Sequence, residues 1–319
     1  MTGPLWQKGA LDLDAAVQRF CAADDVIVDR ELFPFDVRAT AAWVAGLQRI
    51  GVLAPEETAR LHSLLDELAR RFADGSFVVD DRYEDGHTAI ESFLIEQGGE
   101  LGKKVHTARS RNDQVLVAAR LWLKDRLQQL STATTNAASA CLARARASTD
   151  VVMPGYTHLQ RAMPTSLAAF FAGHAESLLD SRDAARAALV VVDRNPLGTG
   201  AGFGVSLPLD RDGVSRDLGF ADVLVSPQAA QNSRGKIELF ALQALHLATL
   251  DVRRLAWDLS LYSTAEFAFV ALPDRYTTGS SLMPNKRNPD VVELLRTLPA
   301  VVEGALAETQ AVLSLPSSY

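Results

Sequence analysis

The chain has 319 residues and a mass of 34.5 kDa, too long for one small hydrophobic core. At roughly 150 residues per domain, about two domains are expected. Apolar residues make up 48% and charged residues 22%, ordinary globular usage that excludes a disordered chain, a collagen-like chain and a disulfide-built mini-scaffold. The net charge of -7 and pI of about 5.4 give no basic footprint for nucleic acid or anionic lipid, while leaving room for a local cationic pocket.

Cys21 and Cys141 lie far apart, in neither a Cys-x-x-Cys nor a zinc-ligand spacing, so a reducing compartment is expected. No apolar stretch follows Lys8, where Asp12 and Asp14 stand instead of a leader's core. No apolar run approaches the roughly 20 residues of a membrane helix. The expectation is a cytoplasmic protein with neither membrane nor nucleic-acid partners.

Helical patterning begins with a segment from about Asp36 to Gly51. In the next, Pro55 opens a first turn with Glu56 and Glu57, Leu61, Leu64, Leu65, Leu68 and Phe72 follow at three- and four-residue spacing, and Gly75 closes it. Four long helical stretches come after. They run from about Asn112 to Ser148, Thr165 to Asp193, Pro227 to Val270 with an interruption at Gly235, and from beyond Pro289 to Leu313. At 1.5 Å per residue the first would be on the order of 55 Å long. Such helices pack side by side, and Ala-rich stretches such as Ala137-Ala138-Ser139-Ala140 let their axes approach. The predicted fold is therefore all-α, with a small helical domain at 1–111 and a long-helix bundle at 112–319. Almost no strand signal is present.

The Gly-rich segment Pro196–Pro208 lacks the Lys-Ser/Thr and the preceding strand of a phosphate loop, and is expected to be a structural loop near a site. The chain ends in Leu-Pro-Ser-Ser-Tyr319 directly after the fourth long stretch, so the bundle reads as incomplete at its C-terminus. That last stretch carries more than one apolar stripe. The isolated 319 residues are accordingly expected to aggregate and to lack activity.

Three segments hold more polar groups than caps and turns require. His106–Gln114 offers Arg109, Arg111 and Asn112 at the start of the longest helix, a combination suited to an anion. Gly155–Ala162 gathers Thr157, His158, Gln160 and Arg161, a candidate acid/base site. Gly279–Pro289 places Ser280, Lys286, Arg287 and Asn288 between flexible Gly-Ser-Ser and stiff prolines. A cationic pocket in an acidic protein suits a small polyanionic substrate.

The third segment, Gly-Ser-Ser-Leu-Met-Pro-Asn-Lys-Arg-Asn-Pro, resembles the signature of the fumarase/aspartase superfamily. Thr-Ala-Arg-Ser-Arg-Asn-Asp-Gln-Val and Gly-Tyr-Thr-His-Leu-Gln-Arg-Ala resemble the argininosuccinate lyases within it, as do Tyr83-Glu84-Asp85 with His87 and Pro196-Leu197-Gly198. The resemblance implies cleavage of argininosuccinate to arginine and fumarate by β-elimination through an aci-carboxylate, with no metal and no organic cofactor. It assigns His158 and Ser280 as the acid/base pair, Lys286 and Asn288 to the developing charge, and Glu293 to orienting the histidine. Which of His158 and Ser280 takes the proton stays open at this stage.

Arg111, Asn112, Thr157, Arg234 and Tyr319 match substrate-binding positions. The resemblance also implies a homotetramer in which each site is shared between subunits. The sequence departs from the family at Asp25, Ala108, Met163, Asn285, Ser233 and Gly235, which bears on fine specificity. A sibling fumarate-releasing lyase, or a non-catalytic fragment on this scaffold, are the alternatives.

Overall fold

The computed structural model describes residues 15–22 and 24–314. In chain order the helices begin with α1 (Ala15–Ala22), α2 (Asp25–Arg49), α3 (Pro55–Ala73), α4 (Gly86–Gly98), α5 (Glu100–Lys103) and α6 (Arg111–Arg146). A hairpin of β1 (Val152–Thr157) and β2 (Gln160–Ser166) precedes α7 (Leu167–Val192). Then come β3 (Arg194–Asn195), α8 (Arg211–Leu218), β4 (Asp222–Val223), α9 (Pro227–Gln231), α10 (Lys236–Tyr262), α11 (Asp290–Leu295) and α12 (Leu298–Leu313). Helix dominates, as the patterning predicts. Strand is confined, among the described residues, to the antiparallel hairpin and the short parallel β3/β4 pair.

The chain forms two compact units. Among the described residues, one joins the chain up to Asp125 to Val192–Lys236; the other joins Arg126–Val191 to residues 237–314. In the first unit, α2 and α3 supply the core. Leu61, Leu64, Leu65 and Leu68 of α3 are all at most 1% exposed, so the predicted stripe is the buried one. Glu57 reaches back from the first turn to accept the Ala54 N–H at 3.0 Å. Helix α2 starts at Asp25, eleven residues before the predicted start, and runs through Pro34. Phe33, Val37, Trp43, Val44 and Leu47 are buried along it, and this packing outweighs the hydrogen bond that a proline removes.

In the second unit the core is built on small residues, with Ala138, Cys141, Ala175 and Leu178 packed against Phe171 and Leu255. An aromatic group ties the hairpin to the end of α10: Tyr156 meets Phe267 at 5.3 Å, and Tyr262 meets Phe269 at 5.4 Å between ring centroids. This group also explains why α10 stops at Tyr262 rather than near Val270. The chain turns back so that the Phe269 and Val270 N–H groups both donate to the Tyr262 carbonyl, with Ala268 in the left-handed region at φ +49°. The last long stretch is likewise two helices, α11 and α12, with Pro299 in the first turn of the second. The hairpin was hidden in the sequence because Pro154, Gly155 and Pro164 interrupt its alternation.

Candidate active site

The three polar segments take three different local forms. The first opens α6 in the first compact unit. Ser110 and Asp113 close its N-terminus, the Ser110 N–H donating to Asp113 Oδ1 at 3.0 Å and the Asn112 N–H to Ser110 Oγ at 3.2 Å. Arg111 is engaged by the start of α4: it lies 2.8 Å from Asp85, 3.2 Å from Glu84, and donates to Thr88 Oγ1 at 2.8 Å. Asp85 is itself the cap of α4, accepting the Thr88 N–H at 2.6 Å.

Arg109 departs from the anion-site expectation. It is only 8% exposed and donates to Thr40 Oγ1 at 2.9 Å, so it serves the interior. Its surroundings form a buried polar network that sequence reasoning missed. Asp36 and His87 make a short contact, Gln114 Nε2 donates to both Asp36 oxygens at 3.0 and 3.1 Å, and Thr40 Oγ1 donates to Asp36 at 3.4 Å. Burial alone would lower the His87 pKa, but Asp36 beside it wins and raises it. Burial would raise Asp36; His87 and Arg109 instead hold it below the usual carboxylate range. The one sequence signal was His87, spaced two residues after Asp85. Asp36 gave none, because it falls inside a helix that the sequence seemed to begin there.

His106 sits beside this network. Burial, then the charges of Arg109 and Arg111, push its imidazole down to about 4, so it is neutral at physiological pH. Asp25, where the family pattern has serine, stands exposed in the first turn of α2. Partial burial and the carboxylates of Asp85, Glu84 and Asp24 raise its pKa. Arg234 follows α9, half-buried, its N–H donating to the Gln231 carbonyl at 3.1 Å.

The second segment is the tip of the hairpin in the second compact unit. His158 and Leu159 form the two-residue turn between Thr157 and Gln160, with φ +55° and +57°. Two non-glycine residues in the left-handed region make a strained turn, in the conformation that matches the strand twist. Thr157 and His158 are both exposed there. The third segment belongs to the same unit. Ser280 Oγ accepts the Leu282 and Met283 N–H groups, each at 3.2 Å. Asn288 pairs with Thr278 by backbone hydrogen bonds of 2.8 and 3.0 Å, which close the loop, and donates from Nδ2 to the Gly279 carbonyl at 3.3 Å.

Lys286 is exposed on the loop. Glu293 is exposed on α11, 3.9 Å from Arg296. Among the described residues no hydrogen bond or ion pair joins Glu293 to His158 within the chain. Tyr319 lies outside the described residues. Also among the described residues, no group of three or more His, Cys, Asp or Glu is placed to hold a metal ion, and no helix is long and apolar enough to cross a membrane.

A family profile described as Lyase matches residues 18–304. The chain is 55% identical over all 319 residues to the argininosuccinate lyase of Xanthomonas oryzae pv. oryzae (strain PXO99A), covering 74% of that protein. It is 54% identical to that of Xylella fastidiosa (strain Temecula1 / ATCC 700964), covering 72%. Among solved structures it superposes on EDDS lyase, in a variant with bound fumarate, with a TM-score of 0.85 and 27% identity over 98% of this chain. It spans 61% of that EDDS lyase chain. A fumarate lyase:delta crystallin from Brucella melitensis shares the fold, at a TM-score of 0.77 and 19% identity over 94% of this chain and 72% of its own. With identity above half along its whole length, the chain belongs to the argininosuccinate lyase family of the fumarase/aspartase superfamily.

Proposed function

We propose that the protein cleaves argininosuccinate to arginine and fumarate, as a step in arginine biosynthesis. The observation that carries this reading is the 55% identity to an argininosuccinate lyase over every residue of the chain. The chemical difficulty is a weakly acidic C–H beside a carboxylate. Its removal loads a second negative charge onto that carboxylate before the guanidinium leaves from the neighbouring carbon. Pre-aimed donors and cations lower that barrier most. Lys286 and Asn288 take this role, and Glu293 orients His158.

Ser280 takes the proton and His158 supplies one to the departing nitrogen. Two backbone N–H groups already point at Ser280 Oγ, 3.2 Å away, which favours its deprotonated form. Arg111, Asn112, Thr157, Arg234 and Tyr319 bind the substrate. The active form is a cytoplasmic homotetramer with sites shared between subunits. Supporting this, His158, Lys286 and Glu293 are exposed in the chain, whereas aci-carboxylate chemistry requires a site closed to water. The apolar side chains of Val301 and Leu294, 73% and 67% exposed, offer a neighbouring subunit something to cover.

The test is fumarate release in the assembled protein, followed with argininosuccinate and with adenylosuccinate in parallel. Turnover of the first at least a hundredfold faster is expected. A preference for the second would replace this reading by that of a sibling lyase.

A further inference from the structure

The Gly-rich loop at 196–208 has a use that its sequence left open. Its convergent N–H groups hold a carboxylate of the protein itself. Gly198 and Gly200 both donate to Asp113 Oδ2 at 2.9 Å. They do so from the left-handed region, at φ +88° and +61°. The other oxygen of the same carboxylate accepts the Ser110 N–H at 3.0 Å. Asp113 is fully buried, at 0% exposure. One side chain thus spends one oxygen on capping α6 and the other on a loop 85 residues away.

The loop is a firm anchor. Asn195 Oδ1 accepts the Leu197 N–H at 2.9 Å, Arg211 Nε donates to the Leu197 carbonyl at 3.1 Å, and the Gly204 N–H donates to the Thr199 carbonyl at 3.0 Å. On the helix side the linkage continues outward: Asp113 holds the Ser110 N–H, and Ser110 Oγ holds the Asn112 N–H. The backbone that carries Arg111 and Asn112 is therefore tied to the Gly-rich loop through Asp113, while the Arg111 guanidinium is held by Asp85, Glu84 and Thr88.

We propose that Asp113 is a positioning residue, whose clamp on Gly198 and Gly200 fixes Arg111 and Asn112 for binding substrate; this rests on the lyase reading above. An isosteric amide cannot replace it. Asp113→Asn presents one oxygen and one NH2, so either the cap or the loop faces a donor with a donor. Gly200→Ala breaks the clamp from the other side without touching α6. Its added Cβ would meet the Gly204 carbonyl oxygen at 3.2 Å, on a backbone at φ +61°.

The experiment compares both variants with the parent in the assembled protein, by steady-state kinetics and by amide hydrogen exchange. Each variant is expected to raise KM about tenfold, the worth of one well-placed polar contact, with kcat within about threefold. Exchange should quicken at Gly198 or Gly200 and also at Arg111–Gln114. A fall in kcat in proportion to lost folded protein, with KM unchanged, would overturn the proposal in favour of a purely structural role. If the parent fails to turn over argininosuccinate, the lyase reading falls and exchange alone judges the clamp. Unchanged exchange at Arg111–Gln114 in both variants then overturns it, and faster exchange there in both sustains it.

Discussion

Arg111 and His158 belong to the same family motif set yet live in opposite surroundings. Arg111 is held by Asp85, Glu84 and Thr88, next to a buried network of Asp36, His87, Gln114 and Arg109. His158 stands exposed on a strained two-residue turn. The first compact unit spends its polar groups on its own architecture. The second displays its polar groups, and over α11 and α12 its apolar ones too, with Leu294, Leu298 and Val301 all more than 40% exposed. The difference teaches that substitutions in the buried Asp36 network of the first unit should register chiefly as stability, and those in the exposed loops of the second chiefly as turnover.

The sharpest break of that contrast would come from the catalytic candidates. Ser280→Ala and His158→Asn are each expected to lower kcat by roughly 10²–10⁴-fold, with the urea midpoint unchanged because neither side chain is packed in the core. Lys286→Met should cost at least as much, since it removes charge stabilisation formed only in the transition state. Near-parental turnover in any of the three would end that residue's assignment.

Asp36→Ala should do the reverse. It leaves Arg109 charged and buried without that carboxylate and takes from His87 its hydrogen-bond partner, at a cost of about 3–5 kcal/mol in unfolding free energy. Urea unfolding measures it; a loss below about 1 kcal/mol would mean that the network is not a stability element. His106 gives a smaller, pH-dependent effect. Its folded pKa is depressed from 6.5 to about 4, so between those values the unfolded chain binds a proton that the folded chain refuses. Stability is therefore lost as pH falls through that window, and His106→Asn should flatten this limb in urea titrations at a series of pH values. An unchanged slope would place the acid sensitivity elsewhere.

The smallest effect concerns Ala108, which adopts φ +59° where the family pattern has glycine. Ala108→Gly should stabilise by about 0.5–1 kcal/mol, because a Cβ is disfavoured in that region. Destabilisation in thermal melts would show that the Ala108 methyl, packed against the core of the first unit, contributes more than the backbone strain costs.

Much of the molecule was legible in the chain itself. The α3 stripe of Leu61, Leu64, Leu65 and Leu68 is buried as its spacing requires, and α6 and α7 begin and end within two residues of their predicted bounds, because long periodic runs without internal proline have few alternatives. The family could be named from its motif residues, since those side chains are set by the chemistry. Other features were decided only by contacts between residues distant in sequence. Pro34 sits inside a helix because its neighbours are buried. Strands β1 and β2 form despite Pro154 and Pro164, which face each other across the hairpin. Helix α10 ends where Phe267 and Phe269 fold back on Tyr262. Asp36 meets His87 across 51 residues, and Asp113 meets Gly198 across 85. Local sequence carries periodicity and turn chemistry, but the partner of a buried charge is chosen by the packing that excludes water from it.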